Sequence, residues 1–351
     1  MQYSHGGDIY SYAEQFGREA LDFSANINPL GLPAPVRDAM HDAVESCVRY
    51  PDPFCRALRN ALAAHWKLPA EHFFCANGAA EVFFRLADVL HPQNALLLAP
   101  TFGEYEAALS RTGCQLRFHT LRADEGFAVT ERILDEISDD TASVWLCSPN
   151  NPTGRTIEPT LLSDILKRCQ EIGAWLIVDE CFGDFLTDAP LHTMRPMLHE
   201  NDRLIIVRAF TKMYAIPGVR LGWCMCADAK LTDALHAAGQ PWNVSSIAQA
   251  AGVAALGMHG FEEQVAQFVA MRRSKLAAEL TQLGLRVIPS EVNYLLFETE
   301  YVDFGKALLP RGIMIRDCAN YRGLKQGYFR VAIRGEQENK LLTAAMREVL
   351  N

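Results

Sequence analysis

The sequence has few cysteines, no long apolar run and no excess of positive charge. Its 10 cysteines among 351 residues are scattered, with no CxxC pair and no Cys/His spacing of a zinc site, so neither a disulfide framework nor a metal centre is expected. No stretch approaches the about 18 apolar residues that a membrane-spanning helix needs. Residues 1–8 lack the basic and apolar segments of a signal peptide. We therefore expect a cytoplasmic protein without membrane spans, whose cysteines are mostly reduced and packed in the core.

Positive charge is also scarce, since 33 basic residues face 42 acidic ones and the formal net charge is −9. This composition argues against nucleic acid as the main partner, because phosphate backbones bind basic surfaces. A small anionic substrate is still possible, since one site can be locally basic. Hydrophobic residues make up 49% of the chain, which predicts a sizeable core, and the length predicts about two domains, although one large α/β unit also reaches this size.

Short apolar runs alternate with longer amphipathic stretches through the middle of the chain. Buried strands are predicted at residues 95–99, 143–147, 174–178 and 204–207, and helices at 104–111 and 161–171. Continuous apolar strands separated by helices indicate a mostly parallel sheet covered on both faces. The predicted fold class is therefore α/β.

The pattern changes after Trp242. Residues 246–283 are mostly helical, and short strands follow at 285–288, 294–297, 313–315 and 328–333 before a final helix at about 337–349. This favours a second, smaller α+β domain. We predict an N-terminal arm at 1–40 that joins the small domain, a large α/β domain at 41–235 and a small substrate domain at 236–351.

Polar residues follow the predicted strands at the sheet edge where α/β proteins bind ligands. Asn151 lies in the Pro- and Gly-containing loop 148–154, Asp179 ends the next strand, and Lys212 follows the strand at 204–207. Each alone has an ordinary structural explanation as a turn, a cap or a solvated side chain. A lysine near a buried carboxylate is also a candidate imine-forming nucleophile.

Two further regions have features that favour the binding of an anion. The strand–turn–helix junction at 75–81 offers the free backbone N–H groups of a helix N-terminus, and Arg220 lies in a turn eight residues after Lys212. Residues 311–334 hold six basic side chains and one acidic one, about half of which we expect to be solvated. The basic residues are Arg311, Arg316, Arg322, Lys325, Arg330 and Arg334.

The order of these pieces carries more information than any one of them. Asn151-Pro-Thr-Gly154, Asp179-Glu180, Thr211-Lys212 and Arg220 resemble the fold type I pyridoxal-phosphate (PLP) enzymes of the class I/II aminotransferase superfamily, over essentially the whole chain. Within that superfamily the chain is most similar to the threonine-phosphate decarboxylases, with the histidinol-phosphate aminotransferases as close relatives. Further matching motifs are His5-Gly6-Gly7, 22–31, Arg49-Tyr50-Pro51, 211–222, Gln240-Pro241-Trp242 and 315–321.

The resemblance implies a fold type I architecture and a PLP site. Lys212 would bind the cofactor covalently and move a proton at Cα, and Asp179 would pair with the pyridinium nitrogen. Asn151 would donate to the ring 3-oxygen, and Phe102 would stack on the ring. Residues implied for the cofactor phosphate are Gly78, Ala79, Ala80, Thr211 and Arg220, together with Tyr50 of the partner subunit, which makes a homodimer with shared active sites the expected assembly.

The resemblance also implies a small phosphorylated amino acid as substrate. The expected reaction is decarboxylation of L-threonine O-3-phosphate to (R)-1-amino-2-propanol O-2-phosphate and CO₂, in cobalamin biosynthesis. Arg330 and Asn151 would lie at the substrate carboxylate. Residues implied for its phosphate are His5, Gly6, Asn28 and Arg316. The alternative is an aminotransferase acting on histidinol phosphate or another amino acid, whereas a non-catalytic PLP sensor is disfavoured by the catalytic residues.

Two positions depart from the aminotransferase pattern. Phe182 stands where a Tyr usually donates to the ring 3-oxygen, and a Phe there is typical of the threonine-phosphate decarboxylases. Ala209 stands where Ser or Thr is usual, so one phosphate hydrogen bond is missing. Either cofactor affinity is weaker, or another donor such as Arg208 compensates.

Overall fold

The computed structural model describes residues 5–200 and 202–350. Helices α1 to α13 span Ile9–Phe16, Ala34–Ala43, Arg56–Trp66, Ala79–Leu90, Glu104–Arg111, Arg132–Glu136, Pro159–Ile172, Phe210–Met213, Ala229–Ala237, Ser246–Leu256, Phe261–Gln282, Phe304–Leu308 and Glu336–Leu350. Strands β1 to β13 span Leu21–Asp22, Phe73–Ala76, Asn94–Ala99, Gln115–Thr120, Ser143–Cys147, Trp175–Asp179, Leu204–Ala209, Gly222–Cys226, Arg286–Val287, Tyr294–Glu298, Ile313–Met314, Arg316–Asp317 and Tyr328–Ala332.

A seven-stranded sheet in the order β2-β8-β7-β6-β5-β3-β4 forms the larger layer. Its strands run parallel except β8, which is antiparallel to both neighbours. Cys147 pairs in register with Asp179, and Asp179 with Val207, so β5, β6 and β7 end at one edge. The predicted α/β class with a mostly parallel sheet is confirmed, and this common edge brings the loops after the three strands together.

A four-stranded antiparallel sheet in the order β12-β13-β10-β9 forms the smaller layer. The N-terminal segment is attached to this part of the chain, because β1 pairs with β11 and the Phe23 carbonyl accepts from the Ala332 N–H at 2.8 Å. Helix α10, which follows the predicted boundary at 235, packs against α2 and α3. The domain boundaries stay predictions, and residues 1–4 and 351 at the ends of the predicted arm and small domain lie outside the described part.

Several elements differ in detail from the sequence-based prediction. The helical stretch at 246–283 is two helices, α10 and α11. The strand predicted at 313–315 pairs with β1 and does not enter the four-stranded sheet, because β12 takes the edge beside β13. Within the described residues, no helix is long and apolar enough to cross a membrane.

Candidate active site

A cavity of about 500 Å³ lies at the edge where β5, β6 and β7 end, and the N-terminal segment and the small sheet complete its walls. Of the predicted site residues, its walls include His5, Gly6, Ala79, Ala80, Phe102, Asn151, Asp179, Thr211, Lys212, Arg220, Arg316 and Arg330. The fold therefore brings together residues that are separated by up to about three hundred positions in the chain. Gly78, Asn28 and Tyr50 are not part of this wall.

Lys212 reaches the cavity because β7 ends at Ala209 and the short helix α8 turns the chain back over the sheet edge. Burial lowers the pKa of Lys212 to about 8, and the positive charge of Arg330 contributes to the same shift. About a tenth of this amine is therefore neutral at pH 7, far more than for an exposed lysine. A neutral amine in a cavity is able to attack a carbonyl group.

Asp179 is the last residue of β6 and is buried. One carboxylate oxygen accepts from the Cys181 N–H at 2.9 Å, and the other accepts from the hydroxyl of Tyr105. Burial raises the pKa of Asp179, while these hydrogen bonds oppose the shift. A buried carboxylate of this kind is stabilised by a cationic ligand group.

Tyr105 is a site residue that the sequence did not single out. It follows Phe102 by three positions in the same motif, and both rings meet edge to face at 5.7 Å. Tyr105 is fully buried between Phe83 and Trp145. The signal was its place in the same motif as Phe102, three positions later and in the first turn of α5.

Asn151 and Arg330 form a connected pair. The side-chain oxygen of Asn151 accepts from Arg330 and, at 3.2 Å, from the hydroxyl of Tyr321. Because both partners donate, the oxygen of Asn151 is turned toward them, and its nitrogen is the atom that can donate to a ligand. Among the described residues, the buried Nε of Arg330 has no hydrogen-bond partner.

The N-terminus of α4 is a candidate anion site. Helix α4 begins at Ala79, so the first N–H groups of a 12-residue helix point toward the cavity wall. A Cβ at Gly78 would lie 2.5 Å from Nη2 of Arg220, which shows how closely this guanidinium approaches the helix N-terminus. Gly78 therefore contributes by leaving space for Arg220 rather than by lining the cavity.

The six basic residues of 311–334 fall into two groups. Arg316 and Arg330 line the cavity. The other four lie beside acidic side chains in the pairs Arg311–Glu348, Arg322–Glu106, Lys325–Glu298 and Arg334–Glu338. His5 also lines the cavity, and its Nε2 lies 2.9 Å from a carboxylate oxygen of Glu104.

Asn28 and Tyr50, two of the predicted site residues, do not line the cavity. The Asn28 amide donates to the Met213 carbonyl at 2.7 Å and accepts from the Leu30 N–H at 2.9 Å, so it supports the turn that carries Lys212. Asn26, two residues earlier, lines the cavity instead of Asn28. Its buried side-chain oxygen has no hydrogen-bond partner within residues 5–200 and 202–350. Tyr50 is 77% exposed and stacks on Trp242 at 4.4 Å.

The structure also shows what surrounds Phe182 and Ala209, the two positions that depart from the aminotransferase pattern. Phe182 lines the cavity and packs edge to face on Tyr294 at 5.0 Å, so this position offers no hydroxyl. Arg208 does not compensate for Ala209, because Glu180, at 2.8 Å, and Asp184 hold its guanidinium away from the cavity. Cys147 and Cys181 line the cavity, although the sequence suggested only a packing role for the cysteines.

Known proteins are similar to this chain in sequence and in fold. The family model of class I and II aminotransferases matches residues 18–346. A threonine-phosphate decarboxylase from Salmonella typhimurium is 39% identical over 354 residues, covering 99% of this chain and 96% of that protein. An adenosylcobalamin biosynthesis bifunctional protein from Leptospira interrogans is 29% identical and matches 98% of this chain and 41% of its own length.

Among solved structures, the histidinol-phosphate aminotransferase from Clostridium acetobutylicum has a TM-score of 0.87 and 28% sequence identity, covering 94% of this chain and 98% of that chain. The match to the family model spans the seven-stranded and the four-stranded sheet and every described residue of the cavity wall from Asp22 onward. The chain therefore belongs to the class I and II aminotransferase family.

Proposed function

We propose that this protein is a PLP-dependent decarboxylase that converts L-threonine O-3-phosphate to (R)-1-amino-2-propanol O-2-phosphate and CO₂, in cobalamin biosynthesis. The observation that carries the proposal is the convergence of two arginines, Arg316 and Arg330, on the cavity that holds Lys212. A substrate with a carboxylate and a phosphate gives a physical reason for two such groups in one site. The threonine-phosphate decarboxylase and the cobalamin biosynthesis protein among the relatives support the same reaction and pathway.

The residues of the cavity fit PLP. The α4 N-terminus, Thr211 and Arg220 form a site for its phosphate, and Asp179 is a buried carboxylate suited to a pyridinium nitrogen. Asn151 can donate to the ring 3-oxygen, and the amine of Lys212 can hold the aldehyde carbon. When bound, PLP supplies an electron sink for cleavage of a bond at the substrate Cα.

The protein's own residues would set which bond breaks. Arg330 binds the substrate carboxylate, while Arg316 and His5 bind the phosphate, so the two ends fix the rotation of the substrate about Cα. Lys212 would hold the cofactor before the substrate arrives, and its amine would donate a proton at Cα after CO₂ has left. The apolar walls formed by Phe102 and Phe182 limit the access of water to that carbon.

An aminotransferase acting on histidinol phosphate is the second candidate, because the same cofactor residues would serve it and a structure of that class shares the fold. Phe182 favours the decarboxylase, since it cannot donate a hydrogen bond to the cofactor ring.

A product assay separates the two reactions. Purified protein is incubated with threonine phosphate, serine phosphate and histidinol phosphate in parallel, with and without 2-oxoglutarate. We expect CO₂ release from threonine phosphate without a 2-oxo acid. Dependence on 2-oxoglutarate with formation of glutamate would overturn the proposal. Serine phosphate lacks one methyl group, which is worth about 1–3 kcal/mol in a pocket, so its rate measures how closely the cavity fits that methyl.

Incorporation of PLP into the cofactor-free chain is expected to depend on pH through Lys212. Only the neutral amine attacks the aldehyde, and its pKa is lowered to about 8. The rate should therefore rise about tenfold per pH unit below that value and level off above it. Stopped-flow absorbance measures the rate, and Arg330→Gln should move the inflection to higher pH because it removes a neighbouring positive charge. A rate that still rises steeply above pH 9 would contradict the lowered pKa.

Gly222→Ala is expected to weaken cofactor binding by about 10- to 100-fold. A Cβ at Gly222 would overlap the backbone nitrogen of Ala79, so the α4 N-terminus must shift, and overpacking of this kind costs about 1–3 kcal/mol. Equilibrium titration with PLP measures the effect. Gly218→Ala is the matched control, because its Cβ would meet open space. Equal affinity of the two variants would argue against a phosphate site at this helix.

The assembly proposed for this enzyme is a homodimer with shared active sites. Val48 and Tyr50 are 87% and 77% exposed, and Phe54 and Trp242 are partly exposed as well, which makes an apolar surface suited to a second copy of the chain. The unpaired cysteines further support the reducing cytoplasm as its location.

Subunit complementation tests the shared site. Tyr50→Ala and Lys212→Ala chains are each expected to have little activity, because one lacks the contact to the neighbouring cofactor phosphate and the other lacks the amine. A dimer of one chain of each kind has one site with both defects and one intact site. Mixing after mild dissociation should therefore restore activity toward half the wild-type value per mixed dimer, whereas Tyr10→Ala, at an exposed position of α1, should behave as wild type. No gain on mixing would contradict the shared site.

A further inference from the structure

One carboxylate lies in the wall of this cavity without a role in the proposed reaction. Asp22 shares the wall with Lys212, Arg316 and Arg330, although the cavity otherwise favours anions. Its Oδ1 accepts from the N–H of Ser24 at 2.7 Å and from the hydroxyl of Ser24 at 2.6 Å. The carboxylate of Asp22 is therefore hydrogen-bonded to Ser24 and orients the hydroxyl of that residue.

Ser24 connects two parts of the site. Its hydroxyl donates to Asp22 and accepts from the Gly7 N–H at 2.7 Å, so both functions of the hydroxyl are used. Its backbone carbonyl accepts from Nη2 of Arg330 at 3.0 Å. Ser24 is 3% exposed, which strengthens the effect of these bonds.

The first described residues of the predicted N-terminal arm, 5–8 (hereafter the arm), lie directly against Ser24. A Cβ at Gly6 would overlap the Ser24 carbonyl oxygen and lie 2.8 Å from its carbonyl carbon. Only a glycine allows this approach, and the approach is what lets the Gly7 N–H reach the Ser24 hydroxyl. The same arm carries His5 and Gly6 into the cavity wall.

We propose that Ser24 is a positioning residue that couples the two anion-binding ends of the cavity. Its hydroxyl, oriented by Asp22, seats the arm that contributes His5 and Gly6 to the phosphate end, and its carbonyl holds Arg330 at the carboxylate end. The proposal rests on the proposed function and deepens it. A substrate with both a carboxylate and a phosphate is bound at both ends of the cavity, whereas a substrate without the phosphate makes no contact with the arm.

Ser24→Ala removes the hydroxyl and keeps the carbonyl that holds Arg330. Loss of the hydrogen bond from the Gly7 N–H predicts about tenfold faster amide hydrogen exchange in the arm, measured without substrate. We expect the KM for threonine phosphate to rise about tenfold, with kcat within about twofold of wild type. PLP affinity should not change, because the partners of the hydroxyl, Asp22 and Gly7, are not among the residues proposed to hold the cofactor.

Two further variants make the test specific. Ser24→Thr keeps a hydroxyl and should restore slow exchange of the arm, whereas Gly6→Ala keeps the Ser24 hydroxyl but should loosen the arm, because its Cβ would clash with the Ser24 carbonyl. Ser163→Ala is the control, since that exposed hydroxyl bonds within its own helix, α7.

Unchanged exchange of the arm in Ser24→Ala would overturn the proposal, as would a joint loss of kcat and PLP affinity, which indicates a merely structural role. If the wild-type protein does not decarboxylate threonine phosphate, the proposed function fails. The exchange measurement then still decides whether Ser24 seats the arm.

Discussion

Lys212→Ala should abolish turnover of threonine phosphate, with a loss of about 10⁴-fold or more, and should remove the visible absorbance of the lysine-linked cofactor. The variant lacks the amine that holds the cofactor carbon and the group that donates the proton at Cα, and proton transfer alone contributes about 10²–10⁴-fold. Product release and absorbance spectra of the purified variant measure both losses.

The fold should survive this change. Burial already disfavours the charged form of Lys212, as its lowered pKa shows, so an apolar replacement removes a desolvation cost. Thermal unfolding of the cofactor-free variant should match that of the wild type. Lys306→Ala is a suitable control, since that side chain is 81% exposed and pairs with Asp303. Retention of either the visible band or turnover in Lys212→Ala would refute the assignment.

Asp179→Asn is expected to lower kcat/KM by about 1,000-fold. The amide keeps an oxygen that can accept from the Cys181 N–H, but it lacks the charge that keeps a pyridinium nitrogen protonated, and breaking a buried ion pair costs about 3–5 kcal/mol. The cofactor then withdraws electrons less effectively. Steady-state kinetics measure the loss, and PLP titration separates weaker binding from slower chemistry.

The stability of the cofactor-free Asp179→Asn variant, in contrast to its activity, should not fall. The folded-state pKa of Asp179 is raised, so its ionised form is less favourable in the cofactor-free protein than in the unfolded chain above pH 4. The neutral Asn avoids this cost, and we expect the cofactor-free variant to unfold at the same or a higher temperature at pH 7. A variant that retains most of its activity would contradict a pyridinium partner at this position.

Tyr105→Phe provides a graded comparison. It leaves the charge of Asp179 in place and removes only the hydroxyl that donates to it, a bond worth about 1.5–3 kcal/mol when one partner is charged. A loss of about tenfold, smaller than that of Asp179→Asn, is therefore expected. Equal losses in the two variants would mean that Tyr105 matters more for folding of the site than for orientation of the carboxylate.

The convergence of Asn151, Asp179 and Lys212 could be predicted from the sequence because of a simple property of parallel sheets. Each residue follows an apolar strand, and the carboxyl ends of neighbouring parallel strands share one edge. The alternation of side chains along a strand also contained information that the prediction did not use. Ala209 lines the cavity, so its neighbour Arg208 must point to the other face, where Glu180 and Asp184 bind it.

The N-terminal segment shows where sequence reasoning reached its limit. Asn28 and Asn26 lie in the same motif, and nothing in the local pattern distinguishes the one that lines the cavity from the one that binds the Met213 carbonyl. Their roles depend on a turn that packs against α8, nearly 200 residues away in the chain. The contact of Tyr105 with Asp179 likewise joins two elements that only the assembled sheet brings together.

By itself the sequence indicated the α/β class, the family resemblance, Lys212 and Asp179 as candidate site residues, and the excess of positive charge in 311–334. These features follow from periodicity, spacing and residue chemistry, which are local. Only the tertiary structure decided which carboxylates bind Arg208, that Asn26 rather than Asn28 lines the cavity, and that Ser24 lies between Gly7 and Arg330. Such contacts depend on the packing of the N-terminal segment and the small sheet over the large one, and they have no periodic signature in the chain.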